Sequence, residues 1–127
     1  MGVGASATAI TFIHTRDRER SKAFYRDTLD LTFVADEPYA SVFDMNGARL
    51  QIVHIGDHVA HAHPVLGWEV ADIAASVVTL RERGVTMNIY EGFNQDELGI
   101  WTSPDGTSKV AFFNDPDGNG LAISSKS

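Results

Sequence analysis

An α+β fold made of two similar strand-helix-strand-strand-strand modules is what this 127-residue sequence predicts. Three observations carry the prediction. Asp17 and Asp72 each open a helical pattern at matching places in the two halves. Gly47 and Gly118 each stand in a turn ahead of the last strand of their half. Between these markers both halves supply short β-branched and aromatic runs, which read as strands.

The first module, about residues 8–56, begins with Ala9–Thr15 (Ala-Ile-Thr-Phe-Ile-His-Thr), a strand by composition. Asp17 is placed to accept hydrogen bonds from the free N–H groups of a first helical turn. The helix runs to about Leu29, with Phe24, Thr28 and Leu31 marking its buried side. Three strands follow, Leu31–Ala35, Ala40–Asp44 and Arg49–Ile55. Asn46-Gly47 joins the last two, because both residues tolerate positive φ in a tight hairpin.

The second module, about residues 64–126, repeats this order. Val65–Val70 reads as a strand. Asp72 caps a helix whose apolar residues Ile73, Val77 and Leu80 recur at helical spacing, and Gly84 suits the left-handed position after it. Val85–Tyr90 is expected as a strand, followed by a longer excursion to Gly99. Ile100–Ser103 and Lys109–Asn114 flank the turn Pro104-Asp105-Gly106, and Gly120–Ser124 closes the chain after Asp115-Pro116-Asp117-Gly118. Residues His54 to Pro64 connect the modules. The length suits one domain, 1–127.

Composition narrows the function classes. The net charge is −7 and no run of Lys or Arg is present, so nucleic acid and anionic membrane surfaces are not expected partners. There is no Cys, which excludes disulfides and thiolate chemistry and suits a cytoplasmic protein. Residues 1–9 lack the pattern of a signal peptide, and no stretch reaches the ~20 apolar residues of a membrane span.

The order and spacing of three segments resemble the vicinal oxygen chelate superfamily, which includes glyoxalase I, extradiol dioxygenases and bleomycin resistance proteins. They are Asp17-Arg18-Glu19-Arg20-Ser21-Lys22-Ala23-Phe24-Tyr25, Gly67-Trp68-Glu69-Val70-Ala71-Asp72-Ile73 and Phe113-Asn114-Asp115-Pro116-Asp117-Gly118-Asn119. Each is weak alone; together they span nearly the whole chain. The resemblance implies that each module's sheet curls into a trough, the two troughs facing one another around a pocket, and that the chain forms a homodimer.

It also implies where a metal would sit. Metal-using relatives carry one ligand on the first strand and one on the last strand of each module. Here those positions read Ile10, Gln51, Leu66 (or a neighbour) and Ala122. Three are aliphatic and the fourth is a neutral amide, whereas a divalent ion needs several N, O or S donors. No metal and no other cofactor is therefore expected.

The candidate ligand-binding residues are Phe12, His14, Gln51, Trp68 and Trp101. Ile10, Phe12 and His14 alternate onto one strand face, so a trough-facing Ile10 brings His14 with it; otherwise His14 is a half-exposed strand end. Trp68 is either a stacking wall beside Leu66 or a core residue under the helix. Trp101 is a lid edge or a packed side chain, and Gln51 a polar handle or a satisfied buried amide. His54, His58, His61 and His63 read as a solvated linker ahead of a metal cluster. Asp44, Asp105, Asp115 and Asp117 are explained by turn chemistry. Ser103 and Ser108 lack the context of a nucleophile, and no catalytic residue is assigned.

Three functions are weighed. The first is a metal-independent protein that binds an apolar or aromatic small molecule. The second is a metal-independent isomerase or cyclase using His14. The third is a metal-dependent lyase or dioxygenase of glyoxalase type.

Overall fold

A computed structural model describes residues 3–61 and 63–126. The chain divides into two compact units, the first ending at Val59 and the second beginning at Ala60.

In the first unit, β1 (Ile10–Thr15) leads into α1 (Arg18–Ala23), then β2 (Thr32–Asp36), β3 (Ala40–Met45) and β4 (Ala48–His54). The sheet order is β1-β4-β3-β2, with β1 parallel to β4 and the other pairs antiparallel. Asp17 caps α1, its carboxylate accepting from the Arg20 N–H at 3.1 Å. The expected helix to Leu29 changes character midway. Phe24–Thr28 is π-helical, with the Leu29 N–H reaching Phe24 O at 3.1 Å. Asn46 and Gly47, at φ 55° and 100°, make the tight β3–β4 turn that needs positive φ twice.

The second unit holds β5 (Pro64–Glu69), α2 (Ile73–Glu82), β6 (Trp101–Thr102), β7 (Ser108–Asn114) and β8 (Gly120–Lys126), in sheet order β5-β8-β7-β6. Asp72 caps α2 through the Ala75 N–H at 3.0 Å. Gly84 ends it with φ 90°; the Val85 N–H reaches back to Leu80 O at 3.0 Å and the Gly84 N–H to Arg81 O at 3.0 Å. The strand expected at Val85–Tyr90 does not form. Among the described residues a single backbone bond joins this stretch to β7, from the Asn88 N–H to Phe112 O (2.7 Å), beside a side-chain bond from Asn88 Nδ2 to Asn114 Oδ1 (3.2 Å). Gln95 takes over the other backbone groups, its Oε1 accepting from the Tyr90 N–H (2.6 Å) and its Nε2 donating to Asn88 O (2.9 Å) and Gly99 O (2.8 Å). A side-chain amide has replaced a ladder, a competition that residue propensities do not reveal. The edge of this sheet is β6 instead. Among the described residues no helix is long and apolar enough to cross a membrane.

Each sheet has one face packed on its helix. In the first unit Phe43, Leu50 and Ile52 are fully buried there, with Tyr25 of the helical stretch. In the second, Phe113, Leu121 and Ile123 are buried with Ile73, Val77 and Leu80 of α2. The registers Phe43↔Leu50 and Phe113↔Leu121 match one for one. The same core has been built twice, and in each unit it leaves the opposite face of the sheet open.

Candidate functional site

Alternation along the strands decides what the open faces carry. In the first unit the pairs Phe12↔Gln51 and Gln51↔Val42 form the central row. Ile10↔Arg49 and Arg49↔Asp44 form the row on one side, His14↔Val53 and Val53↔Ala40 the row on the other. Successive rows lie about 6.6 Å apart, two strand residues. Ile10 is 46% exposed and Phe12 59%, so this face presents a real apolar surface to solvent. The Gln51 side chain is half-buried and has no hydrogen-bond partner among the described residues, so it is not the satisfied buried amide. Asp44 is corrected: it lies within β3 and not in a turn.

His14 stands at the end of this face. Its ring meets that of His58 edge-on, with centroids 5.5 Å apart. His58 is set there by the turn after β4, where its N–H donates to Ile55 O at 3.1 Å. Sequence spacing puts these two histidines far apart and does not anticipate the contact. His61 and His63, in the second unit, stack on one another at 5.4 Å. His54 stays exposed at the end of β4.

The open face of the second unit is different. Its central row is Gly67↔Ala122 and Ala122↔Phe112. Glu69↔Ser124 takes the place that His14↔Val53 holds in the first unit. The pair that corresponds to Ile10↔Arg49 is Pro64↔Gly120. Trp101, half-buried, pairs with Val110 on this open face.

Trp68 is not where the sequence suggests. A register shift between Pro64 and Leu66 moves the rest of β5 by one residue, which exchanges its faces. Leu66 pairs with Leu121 and Trp68 with Ile123, on the helix-packed side. The Trp68 indole Nε1 is buried without a hydrogen-bond partner. Trp68 is thus a half-buried side chain on the helix-packed side of the edge strand β5.

The turn aspartates make local bonds. Asp115 is buried and accepts from the Asp117 N–H and Asn119 N–H, both at 2.9 Å, and from Asn119 Nδ2 at 2.8 Å. Asp105 accepts from Ser103 Oγ at 2.7 Å, Thr107 Oγ1 at 2.8 Å and the Thr107 N–H at 3.1 Å. These donors favour its ionised form and lower its pKa to about 2. Ser103 is thereby committed to a turn, not poised as a nucleophile.

In the pairing of β5 with β8, Pro64 takes the place that Ile10 holds on β1, which replaces Leu66 among the four positions where the family resemblance would put metal ligands. Those positions are Ile10, Gln51, Pro64 with the adjacent Val65, and Ala122. Only Gln51 carries a donor. Among the described residues no three of His, Cys, Asp and Glu converge as a metal site would need. This donor set does not fit a divalent ion.

A family model described as "Glyoxalase/Bleomycin resistance protein/Dioxygenase superfamily" matches residues 8–123. No curated protein matches the chain. Among solved structures it is similar to a lactoylglutathione lyase from Agrobacterium tumefaciens (TM-score 0.72, 18% identity, covering 96% of this chain and 95% of that one). It is also similar to TnmS3, an antibiotic binding protein from Streptomyces sp. CB03234 (TM-score 0.71, 23% identity, 100% and 99% covered). A third is a glyoxalase/bleomycin resistance protein/dioxygenase from Nocardioides (TM-score 0.70, 16% identity, 99% and 87% covered). At these identities the likeness is one of fold.

Proposed function

We propose that this chain, which belongs to the Glyoxalase/Bleomycin resistance protein/Dioxygenase superfamily, is a metal-independent binding protein for an apolar or aromatic small molecule. The observation that carries this reading is the open face of the first sheet. There Ile10 and Phe12 stay exposed beside the unpartnered amide of Gln51. Apolar surface with a few placed polar groups is the usual make-up of a small-molecule site. The donor-poor metal positions favour binding over the chemistry of a lyase, and the similar fold of TnmS3, an antibiotic binding protein, supports the same direction. Phe12, Gln51 and His14 are the contacts on this face; Trp101, on the open face of the second unit, is a candidate contact of that unit by itself. We place Trp68 outside the site, as a packing residue. A homodimer in the cytoplasm completes the proposal.

A panel of planar aromatic compounds, titrated by NMR and calorimetry after exhaustive chelation, tests it. Binding should survive chelation, with shifts centred on Phe12 and Gln51, and Phe12→Ala should weaken it about tenfold, in line with the loss of a large apolar contact. One equivalent of Zn, Ni, Fe or Mn retained per chain and needed for binding overturns the reading.

A second reading, a metal-independent isomerase or cyclase, is favoured by the His14–His58 contact, since two adjoining imidazoles suit proton transfer near neutral pH. A His14→Gln variant separates the two: a fall in turnover of about a hundredfold with affinity retained favours the enzyme, and a loss of affinity with no turnover to lose favours the binding protein.

A further inference from the structure

We infer that Arg49 receives the anionic group of the ligand, so that the class bound on this face is an apolar or aromatic acid. The inference rests on the proposed binding reading and deepens it.

Arg49 is on β4, in the row next to Gln51 and directly opposite Ile10 of β1. Its main chain is pinned, the N–H donating to Ala9 O at 2.8 Å, while its side chain is exposed on the open face. The cations around α1 are engaged: Lys22 with Asp36 and Glu19, Arg18 with Asp36, and Arg26 with Asp27. Arg49 forms no ion pair among the described residues, although Asp44 is its cross-strand neighbour on β3. Lys109 also has no ion pair, but its parity on β7 is that of the helix-packed side. Arg49 is therefore a permanent charge at the border of exposed apolar surface.

That position has a chemical meaning. A guanidinium is weakly hydrated and planar, and its fork of donors matches a carboxylate. Gln51, about 6.6 Å along the same strand face and directly opposite Phe12 on β1, adds amide donors beside the ring. A flat hydrophobic body resting on Ile10 and Phe12 brings a carboxylate within reach of both. Asp44 acts against this, because a ligand carboxylate and the Asp44 carboxylate repel across the same guanidinium. The second unit has no counterpart: the position of Arg49 is Gly120, where a Cβ would stand 2.8 Å from His63 O.

The test pairs 2-naphthoate with 2-naphthamide, the same body with and without the charge. Each is titrated into the full chain by calorimetry and NMR. The acid should bind at least about tenfold more tightly, the scale of a hydrogen bond to a charged group. Arg49→Met should abolish that preference and leave the amide within about twofold, whereas Arg49→Lys should keep part of it. Asp44→Asn should tighten the acid alone. Thermal midpoints of all three variants verify folding. Equal binding of acid and amide to the unaltered protein overturns the inference and leaves the binding reading standing. So does an acid preference that survives Arg49→Met, or shifts that lie away from β1 and β4. Failure of both compounds to bind overturns the binding reading itself, and the inference with it.

Discussion

The two sheets share a helix-packed face and differ on the open one. Phe43, Leu50 and Ile52 in the first unit correspond to Phe113, Leu121 and Ile123 in the second, all buried to within 5%. On the open faces the matching positions read Phe12 against Gly67, Gln51 against Ala122, Arg49 against Gly120 and His14 against Glu69. At these four positions the first unit carries the larger side chains and the guanidinium, and the second carries small or acidic ones, although Phe112 and Trp101 also lie on the second unit's open face and Asp44 on the first's. A repeated core must keep volume and apolar character, because deletions there create cavities. An open face carries no such requirement, so its residues report what the surface is used for. The first unit is the one to examine for a ligand.

The largest effects should fall on the shared face. Leu50→Ala and Leu121→Ala each remove a fully buried side chain and should cost about 2–5 kcal/mol in chemical denaturation. If one variant proves nearly neutral, the two cores are not equivalent and the comparison breaks. A smaller effect tests the open faces. Gly120→Ala forces a Cβ against the His63 carbonyl, 3.0 Å from its carbon and 3.0 Å from Pro64 Cα, and should cost about 1–3 kcal/mol as overpacking. At the matching place in the first unit, Arg49→Ala should change stability by no more than about 0.5 kcal/mol. Equal costs at both positions would show that Arg49 supports the fold.

The smallest effect concerns the loops that join the edge strands to their neighbours, where Asp36 closes β2 just before one loop and Asp105 lies within the other. Asp36 in the first unit has its pKa lowered by the hydrogen bond from Lys22 and then that from Ser41; Asp105 in the second is lowered to about 2, chiefly by the Ser103 hydroxyl. Both are ionised more readily folded than unfolded. Their contributions are therefore complete above the unfolded carboxylate value, near 3.8, and are lost as pH falls through the folded values. Carbon-detected titration should find Asp105 still ionised near pH 3. Added salt should weaken the Asp36 shift, which depends on a solvent-exposed charge pair, more than that of Asp105, whose donors are neutral. Equal salt sensitivity would remove the distinction between the two loops.

Much of the fold is legible in the chain because its signals are local. Asp17 and Asp72 cap helices, Asn46-Gly47 makes a hairpin and Gly84 stops α2, each through its own backbone or side-chain chemistry. The buried alternation of Leu50 and Ile52, and of Leu121 and Ile123, follows from period-two patterning. The make-up of the open faces was legible in part. Phe12, His14 and Gln51 share the open face as their spacing requires, whereas Trp68 lies on the other side.

What sequence alone determined, then, is the repeated module with its caps and turns. The tertiary structure decided the rest, because it depends on partners distant in the chain. The shift between Pro64 and Leu66 exists only in the pairing of β5 with β8, and it turns Trp68 to the helix-packed side. Gln95 displaces a strand by reaching Asn88, Tyr90 and Gly99 at once. His14 meets His58, and Arg49 comes to lie between Ile10 and Asp44, because three strands align side by side. Local preference sets what each segment can form; register, which is a property of pairs of segments, sets which side chains meet.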